Sequence, residues 1–267
     1  MRGYTATSYG EAFADVYDEW YADLDDPLAW RDLVVASRPQ DGPQGILELG
    51  VGTGRLAVPI AAAGHHVVGV DVSAAMIARI PPDADPHYLQ TVVGDMVDDL
   101  PDGPFGVAFC GFNTFFNLLS EDRQRACLAA VSKRLAAGGA LLIETSVAVP
   151  LAADHDEGPD NAIELRSMTT EQVVLSVSRA NPTDQLAEGQ FIHFTNGSVQ
   201  LRPWMIRWCT PTQLDQMAGD AGLRLEQRFA DVHRNPFTEM SSRQLSIYRR
   251  DQPSNSGPIK TSTTETS

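Results

Sequence analysis

The chain has 267 residues, 43% hydrophobic and 21% charged, which is the composition of an ordinary globular protein with room for one α/β domain and an insertion. Its formal net charge of −15 repels phosphate backbones and argues against a nucleic-acid partner. Three scattered cysteines show neither a disulfide framework nor metal-ligand spacing, and no apolar run has the length of a leader or a membrane span, so we predict a cytoplasmic protein without a metal or a membrane partner.

Two helices are predicted before the first strand. Residues 1–7 are small and polar and are expected to be loose. Apolar and aromatic residues recur at helical spacing from Ser8 to Leu24, and a second helix is expected over Pro27–Ala36 with proline at its start. We therefore assign residues 1–44 to an N-terminal helical cap.

Strands and helices then alternate. The apolar runs predicted as strands are Ile46–Leu49, His66–Val70, Tyr88–Val93, Phe105–Phe109 and Ala140–Ile143. Helices between them are expected to begin at Thr53 and Ser73 as N-caps and to span Glu121–Ala136, where Gly138 and Gly139 stop the last one. This alternation predicts an α/β fold with a doubly wound parallel sheet.

The pattern changes after residue 145. Four successive strands are predicted at Ile163–Met168, Gln172–Ser178, Gln185–His193 and Ser198–Trp208. Asn196-Gly197 between the last two is a strong hairpin signal. We predict that 146–209 is an inserted antiparallel β lid, that 45–145 and 210–250 form the core, and that 251–267 is a disordered tail.

A glycine-rich turn follows the first predicted strand. Gly50, Gly52 and Gly54 alternate in the order G-x-G-x-G, which differs from the G-x-G-x-x-G of dinucleotide sites. A turn of this kind before a helix exposes backbone to a ligand, although glycines in turns are common for other reasons. By itself the turn indicates only a candidate nucleotide site.

Two acidic residues strengthen that interpretation. Asp71 ends the second predicted strand, where a carboxylate can accept from two ribose hydroxyls, although it can equally cap the helix that begins near Ser73. Asp95 follows the third strand, where it can accept from the exocyclic amine of adenine. Met76 and Met96 can sandwich a flat ring, because thioethers pack well on aromatic faces.

These segments resemble the consecutive motifs of class I S-adenosylmethionine-dependent methyltransferases. The matching segments, in order, are Leu47–Gly54, Gly69–Ser73, Gly94–Met96 and Leu135–Gly139. The predicted lid and the segment Ala14–Asp18 are similar to small-molecule enzymes of the amino-sugar N-methyltransferase and glycine N-methyltransferase kind. The resemblance implies a Rossmann-like sheet of seven strands that ends in a β-hairpin.

The resemblance also implies the cofactor site. The three glycines would meet the methionine and ribose parts of S-adenosylmethionine, Asp71 the ribose hydroxyls and Asp95 the adenine amine. Further residues implied around the cofactor are Tyr17, Glu48, Val72, Met76, Met96 and Phe112.

No catalytic base is evident. Where related enzymes can carry histidine before leucine, this chain has Asn117 before Leu118. Weak candidates for acceptor positioning or proton removal are Asn113, Asn117, His155, His193 and His233, and for each histidine a surface or packing role is the stronger interpretation.

The predicted function is methyl transfer to a nitrogen or oxygen of a small molecule, a secondary metabolite, by in-line displacement. The acceptor itself is not specified by the sequence. Two alternatives stay open at this point: a protein that binds S-adenosylmethionine but catalyses a step such as a cyclisation, and a binding protein without catalysis. A homodimer is one option for its assembly.

Overall fold

The computed structural model describes residues 1–22, 26–147 and 160–251. The α-helices in these ranges are α1 (Ser8–Phe13), α2 (Tyr17–Trp20), α3 (Pro27–Ala36), α4 (Ala57–Ala62), α5 (Ala74–Ile77), α6 (Glu121–Arg134) and α7 (Pro211–Asp220). The strands are β1 (Ile46–Leu49), β2 (Val67–Asp71), β3 (Leu89–Val93), β4 (Phe105–Cys110), β5 (Leu135–Ser146), β6 (Asp160–Met168), β7 (Gln172–Asn181), β8 (Leu186–Thr195), β9 (Ser198–Arg207), β10 (Leu223–Phe229) and β11 (Arg243–Arg250). A 3-10 helix spans Thr114–Asn117.

The strands form two separate sheets. The larger sheet has the order β10-β11-β5-β4-β1-β2-β3, in which β1 to β5 are parallel and β11 is antiparallel to both of its neighbours. The smaller sheet is antiparallel, in the order β6-β7-β8-β9. The predicted α/β fold, with a doubly wound, mainly parallel sheet of seven strands and an antiparallel sheet after β5, is confirmed.

Apolar side chains cover both faces of the larger sheet. On one face, Leu128 of α6 and Leu214 of α7 pack on the strands. On the other, Trp30 of α3 and Ile60 of α4 do so, and the ring of Trp30 lies 5.9 Å from that of Phe109 in β4. With both faces covered, the loops at the carboxyl ends of β1 to β5 are left as the place where a ligand can bind.

The N-terminal segment differs from its prediction. The expected helix from Ser8 to Leu24 is wrong, since α1 ends at Phe13 and α2 begins at Tyr17, while Leu24 lies outside the described residues. The carbonyl of Ala12 accepts from the guanidinium of Arg202 in β9, whereas the amide of Val16 donates to Phe13 instead. In a continuous helix the carbonyl of Ala12 would accept from the amide of Val16. Here it accepts from Arg202 of the second sheet instead.

The first seven residues are not free of the fold. Met1 donates through its amino group to Met205 of β9, and Tyr4 is half-buried. The expectation of a loose segment was wrong because its aromatic residue and its terminal amine both find partners.

Two boundaries of the core also differ. Helix α6 ends at Arg134, and Gly138 and Gly139 lie inside β5, because Leu135 already pairs with Phe105 and is buried. Thr53 does not cap α4, which begins only at Ala57.

The division of the chain into cap, core, lid and tail stays a prediction. Residues 252–267 of the expected tail and 148–159 of the expected lid lie outside the described residues. In the ranges given above, no helix combines the length and apolarity needed to cross a bilayer.

Candidate active site

The glycine turn between β1 and α4 forms the floor of the site. Gly50, Gly52 and Gly54 have φ angles of 70°, 55° and 81°, a region that other residues enter only at a cost. A Cβ on Gly50 would lie 2.2 Å from Cγ2 of Thr114, whereas one on Gly52 would have no protein atom within 4 Å. Gly50 is therefore required by close packing, and Gly52 faces open space.

Gly54 does not face that space. A Cβ on Gly54 would lie 3.0 Å from Cγ2 of Val58 and 3.1 Å from Cγ1 of Ile80. It serves the packing of the turn on the following helix. Thr53 instead donates to Oδ1 of Asp18 at 2.6 Å, which ties the turn to α2.

Asp71 at the end of β2 is built into the turn. Its Oδ2 accepts from the amide of Gly52 at 2.9 Å and its Oδ1 from the amide of Ser73 at 2.8 Å. Burial raises the pKa of the Asp71 carboxyl, and these two amides oppose the shift. Each carboxylate oxygen has two lone pairs, so acceptor capacity is left on both.

Asp95 after β3 is tied to a residue that the sequence did not suggest. Its Oδ1 accepts from the amide of Val97 at 2.7 Å and from Nη2 of Arg123 at 2.6 Å. Arg123 lies on α6, and Nη1 also donates to Asp98 at 2.8 Å. No local sequence motif identifies Arg123 as a site residue, because its contact with Asp95 depends on how α6 packs beside the loop after β3.

A cavity of about 290 Å³ joins these residues. That is close to the lower size of a small-molecule site. Predicted residues that line it are Tyr17, Gly50, Gly52, Asp71, Val72, Met76, Asp95, Met96 and Asn117. Thr114 of the loop after β4 also lines it, and unpredicted residues that line it include Tyr4, Tyr9 and Arg123. Tyr4 was missed because residues 1–7 were expected to be loose, and Tyr9 because the helical spacing from Ser8 onwards did not show that it faces the site.

A smaller cavity shares Tyr17 and the glycine turn with the first, and Glu48, Arg55 and Phe112 also line it. Glu48 is buried on β1, and burial raises the pKa of its carboxyl well above the usual value, while the charge of Arg55 opposes the shift. Its Oε2 accepts no hydrogen bond from the residues that the structure describes. A buried acceptor of this kind calls for a donor from a ligand.

The loop after β4 carries backbone strain. Phe112 and Asn113 have φ angles of 43° and 34°, which costs non-glycine residues about 1–3 kcal/mol each. Two hydrogen bonds to β5 hold it: the amide of Phe112 donates to Oε2 of Glu144 at 2.8 Å, and the amide of Ser146 donates to Oδ1 of Asn113 at 2.6 Å. Asn113 thus supports the loop, and it is Asn117 that reaches the cavity.

Aromatic rings lead from the cavities towards the second sheet. The ring of Tyr17 lies 4.9 Å from that of Tyr21, which lies 5.6 Å from that of Phe112. The hydroxyl of Tyr9 donates to that of Tyr21 at 3.5 Å, and burial raises the pKa of Tyr9 well above its usual value. These neutral rings form an apolar wall beside the glycine turn.

The histidine candidates lie elsewhere. His193 on β8 is buried, with Nε2 at 2.7 Å from Oε1 of Gln172 and its ring 5.5 Å from that of Trp20. His233 is exposed in the turn after β10. His155 falls outside the described residues. Among the described residues, no histidine lines either cavity.

Comparison with known proteins adds to this geometry. Residues 46–139 match the model of a family described as a methyltransferase domain. The structure of the CcbJ methyltransferase from Streptomyces caelestis is similar over 93% of this chain and 100% of its own, with 32% identity and a TM-score of 0.79. The cypemycin N-terminal methyltransferase of a Streptomyces species is 26% identical over 91% of this chain and 97% of its own.

More distant structures share the fold. The sugar N-methyltransferase KedS8 from Streptoalloteichus is 18% identical over 94% of this chain and 99% of its own, with a TM-score of 0.63. The S-adenosylmethionine-bound amino pentose methyltransferase CalS10 of Micromonospora is 20% identical over 94% of this chain and 99% of its own, with a TM-score of 0.61.

Proposed function

Because the chain belongs to the S-adenosylmethionine-dependent methyltransferases, we propose that it methylates an amine nitrogen of a small natural product. The observation that carries the choice of nitrogen is the wall of rings beside the glycine turn, where no described histidine is available as a base. A neutral amine attacks through its own lone pair, whereas an alcohol needs help in losing its proton. KedS8 is named as a sugar N-methyltransferase and the cypemycin enzyme as an N-terminal methyltransferase, which supports the same choice.

The residues around the larger cavity fit the adenosyl part of the cofactor. We assign the ribose hydroxyls to Asp71, the adenine amine to Asp95, and the faces of the adenine ring to Met76 and Met96 with Val72 beside them. The amide-rich turn at Gly50 and Gly52 would run along the cofactor, which needs the absence of side chains there.

The smaller cavity fits the methionine part. The unpartnered Oε2 of Glu48 would accept from the ammonium group, which would also favour the ionised carboxylate that burial opposes. Tyr17 and Phe112 would border the sulfonium. Calorimetric titration of S-adenosylmethionine into single alanine variants tests each assignment, and an unchanged dissociation constant would contradict it.

When bound, S-adenosylmethionine supplies an electrophilic methyl group on a sulfonium. The chain has to align the acceptor nitrogen behind that methyl and exclude water, and alignment of this kind can supply about 7–11 kcal/mol of a barrier. The strained Phe112–Asn113 turn, held from β5, fixes the ring of Phe112 next to Tyr21. We infer that this rigid aromatic wall orients the acceptor.

Paired acceptors test the nitrogen assignment. Cyclic and linear amines and their matched alcohols would be incubated with the full chain and S-adenosylmethionine, and S-adenosylhomocysteine and methylated product would be measured by mass spectrometry. We expect the amine of a pair to be methylated and its alcohol not, with a rate that rises with pH until the acceptor ammonium is deprotonated. Methylation of the alcohol in preference to the amine would overturn the proposal.

We propose a homodimer on the basis of the outer face of the second sheet. The strand register places one set of apolar side chains on this face: Ile163, Leu165, Met168, Val173, Leu175, Val177, Ile192, Phe194, Val199 and Leu201. Ile163, Leu165 and Leu201 are 74%, 57% and 60% exposed. A contiguous apolar face of this kind marks an interaction surface. A second copy offers a matching face without charged residues at its centre.

A lysine on that face is expected to break the dimer. Leu165→Lys should weaken dimerisation by about 2 kcal/mol or more, roughly thirtyfold, because a charge would be buried in an apolar contact. Light scattering after gel filtration gives the mass as a function of concentration. Leu28→Lys, at a 55% exposed position on α3, is the matched control. A monomeric wild type, or equal dimerisation in both variants, would contradict the proposal.

We also propose a cytoplasmic location and no nucleic-acid partner. The three free, buried cysteines, Cys110, Cys127 and Cys209, support the location, and the net charge of −15 supports the absence of a nucleic-acid partner. Cell fractionation tests the location, and filter binding with duplex DNA and single-stranded RNA tests the partner. Retention of either nucleic acid at physiological salt would contradict that part of the proposal.

A further inference from the structure

Arg166 is the extra residue of a β-bulge in the edge strand of the second sheet. In the pairing of β6 with β7, Leu165 lies opposite Leu175 and Ser167 opposite Val174, so Arg166 has no position of its own. Glu164 lies in register with Ser176 and, through it, with Phe191, so alternation along β6 places Arg166 on the same face as Phe191 and opposite to that of Leu165. Here the side chain is directed at the rings of the N-terminal segment.

Three rings surround its guanidinium. The central carbon lies 5.2 Å from the ring centre of Trp20, 5.1 Å from that of Tyr21 and 4.6 Å from that of Phe191. Tyr21 in turn lies 4.9 Å from Tyr17, which lines both cavities of the active site. The positive charge is therefore two rings away from the cofactor cavities.

The hydrogen-bonding capacity of this arginine is largely unused. Nη2 donates to the carbonyl of Trp20 at 3.5 Å, and Arg166 makes no ion pair with a carboxylate in the described part of the chain. The residue is exposed, and its guanidinium carries five N–H donors.

Arg202 provides the contrast within the same structure. It also lies over the ring of Trp20, at 5.4 Å, but both of its Nη atoms bind Asp15, at 2.5 and 2.8 Å, and it is buried. The hydrogen bonds of Arg202 hold β9 to the N-terminal segment. Arg166 also lies over the ring of Trp20 but does not bind Asp15 or another described carboxylate.

We infer that Arg166 binds an oxyanion of the methyl acceptor, a carboxylate or a phosphate, so that the substrate class is an amine that also carries an acidic group. The inference rests on the proposed function, since it places the acceptor between Tyr17 and the second sheet. A guanidinium fork binds both kinds of oxyanion through paired N–H donors, and the rings hold it in place before the ligand arrives.

The test uses binding probes that need no turnover. The full chain, saturated with S-adenosylhomocysteine, would be titrated with phenylacetate, phenyl phosphate and the neutral phenylacetamide, while the arginine Nε–Hε signals are followed by NMR. We expect a saturable shift of the Arg166 signal with one or both anions and none with the amide. The anion that binds with the lower dissociation constant identifies the acidic group as a carboxylate or a phosphate.

Two variants complete the design. Because neither variant keeps the Arg166 signal, anion binding to the wild type and the variants is compared by calorimetry: Arg166→Gln should weaken it about tenfold or more, as loss of a charged hydrogen bond does, and Arg166→Lys should weaken it less. The affinity for S-adenosylhomocysteine should be unchanged in both, and it separates failure of this inference from failure of the cofactor site. If the anions cause no saturable shift while Arg166→Gln lowers the melting temperature, the arginine only fastens the strand and the inference is wrong.

Discussion

Replacing Asp71 by alanine is expected to weaken S-adenosylmethionine binding about a hundredfold or more. The carboxylate is assigned two charge-assisted hydrogen bonds to the ribose, and each is worth about 1.5–3 kcal/mol, so their loss corresponds to at least two decades of affinity. The same change removes the acceptor of the Gly52 and Ser73 amides, at 2.9 and 2.8 Å, and so loosens the turn that meets the cofactor. Isothermal titration calorimetry measures the effect directly.

Two further variants sharpen this experiment. Asp71→Asn keeps one neutral acceptor and should lose less affinity than alanine. Asp83→Ala, at an exposed position between α5 and β3, should bind as the wild type does. Because burial raises the pKa of Asp71, affinity should fall as the pH is lowered through that raised pKa, where the carboxylate becomes protonated. Wild-type affinity in Asp71→Ala would contradict the assignment of the ribose site.

The position of Asp71 could be predicted because it depends on short-range rules. An apolar run that ends in an acid places that acid at the carboxyl end of a parallel strand, and the next run does the same for Asp95. Both residues line the larger cavity. The alternation of strands and helices is an equally local pattern, which explains why the doubly wound parallel core was predicted correctly, whereas the seven strands and the terminal hairpin were implied by the family resemblance.

The acceptor side could not be predicted in this way. Tyr9 of α1 lines the cavity, and α1 is held to the second sheet by Arg202 of β9, which donates to the carbonyl of Ala12. Arg166 of β6, the edge strand of the second sheet, reaches the rings of Trp20 and Tyr21. Each contact depends on how a distant strand meets the N-terminal segment, and helical periodicity within that segment carries no information about it.

Of the two glycines at the start of the turn, Gly50 is expected to matter for folding and Gly52 for binding. An alanine at Gly50 would cost about 1–2 kcal/mol for its positive φ and about 1–3 kcal/mol for overpacking. The overpacking arises because its Cβ would lie 2.2 Å from Cγ2 of Thr114. Against a total stability of about 5–15 kcal/mol, this is a large part. Urea denaturation of the cofactor-free protein measures it.

Gly52→Ala is the matched variant, since it has the same backbone strain without the collision. With φ at 55° and no protein atom within 4 Å of its Cβ, it should lose only about 1–2 kcal/mol of stability. Its methyl group would nevertheless enter the open space that Gly52 borders in both cavities, so S-adenosylmethionine binding should be lost from a folded protein. A Gly52→Ala protein that binds normally would place the cofactor elsewhere.

A double variant separates the two costs at Gly50. Thr114→Ser removes Cγ2, the atom that an alanine at Gly50 would strike, and leaves the strain of φ at 70° in place. Gly50→Ala combined with Thr114→Ser should therefore recover the overpacking part, about 1–3 kcal/mol, and no more. The recovery would show that the loop after β4 rests directly on the glycine turn, so that the segment bordering the acceptor and the backbone bordering the cofactor are one packed unit. If the double variant is no more stable than Gly50→Ala alone, the loop does not rest on the turn, and the strain at Phe112 and Asn113 would be positioning a part of the site that is independent of the cofactor.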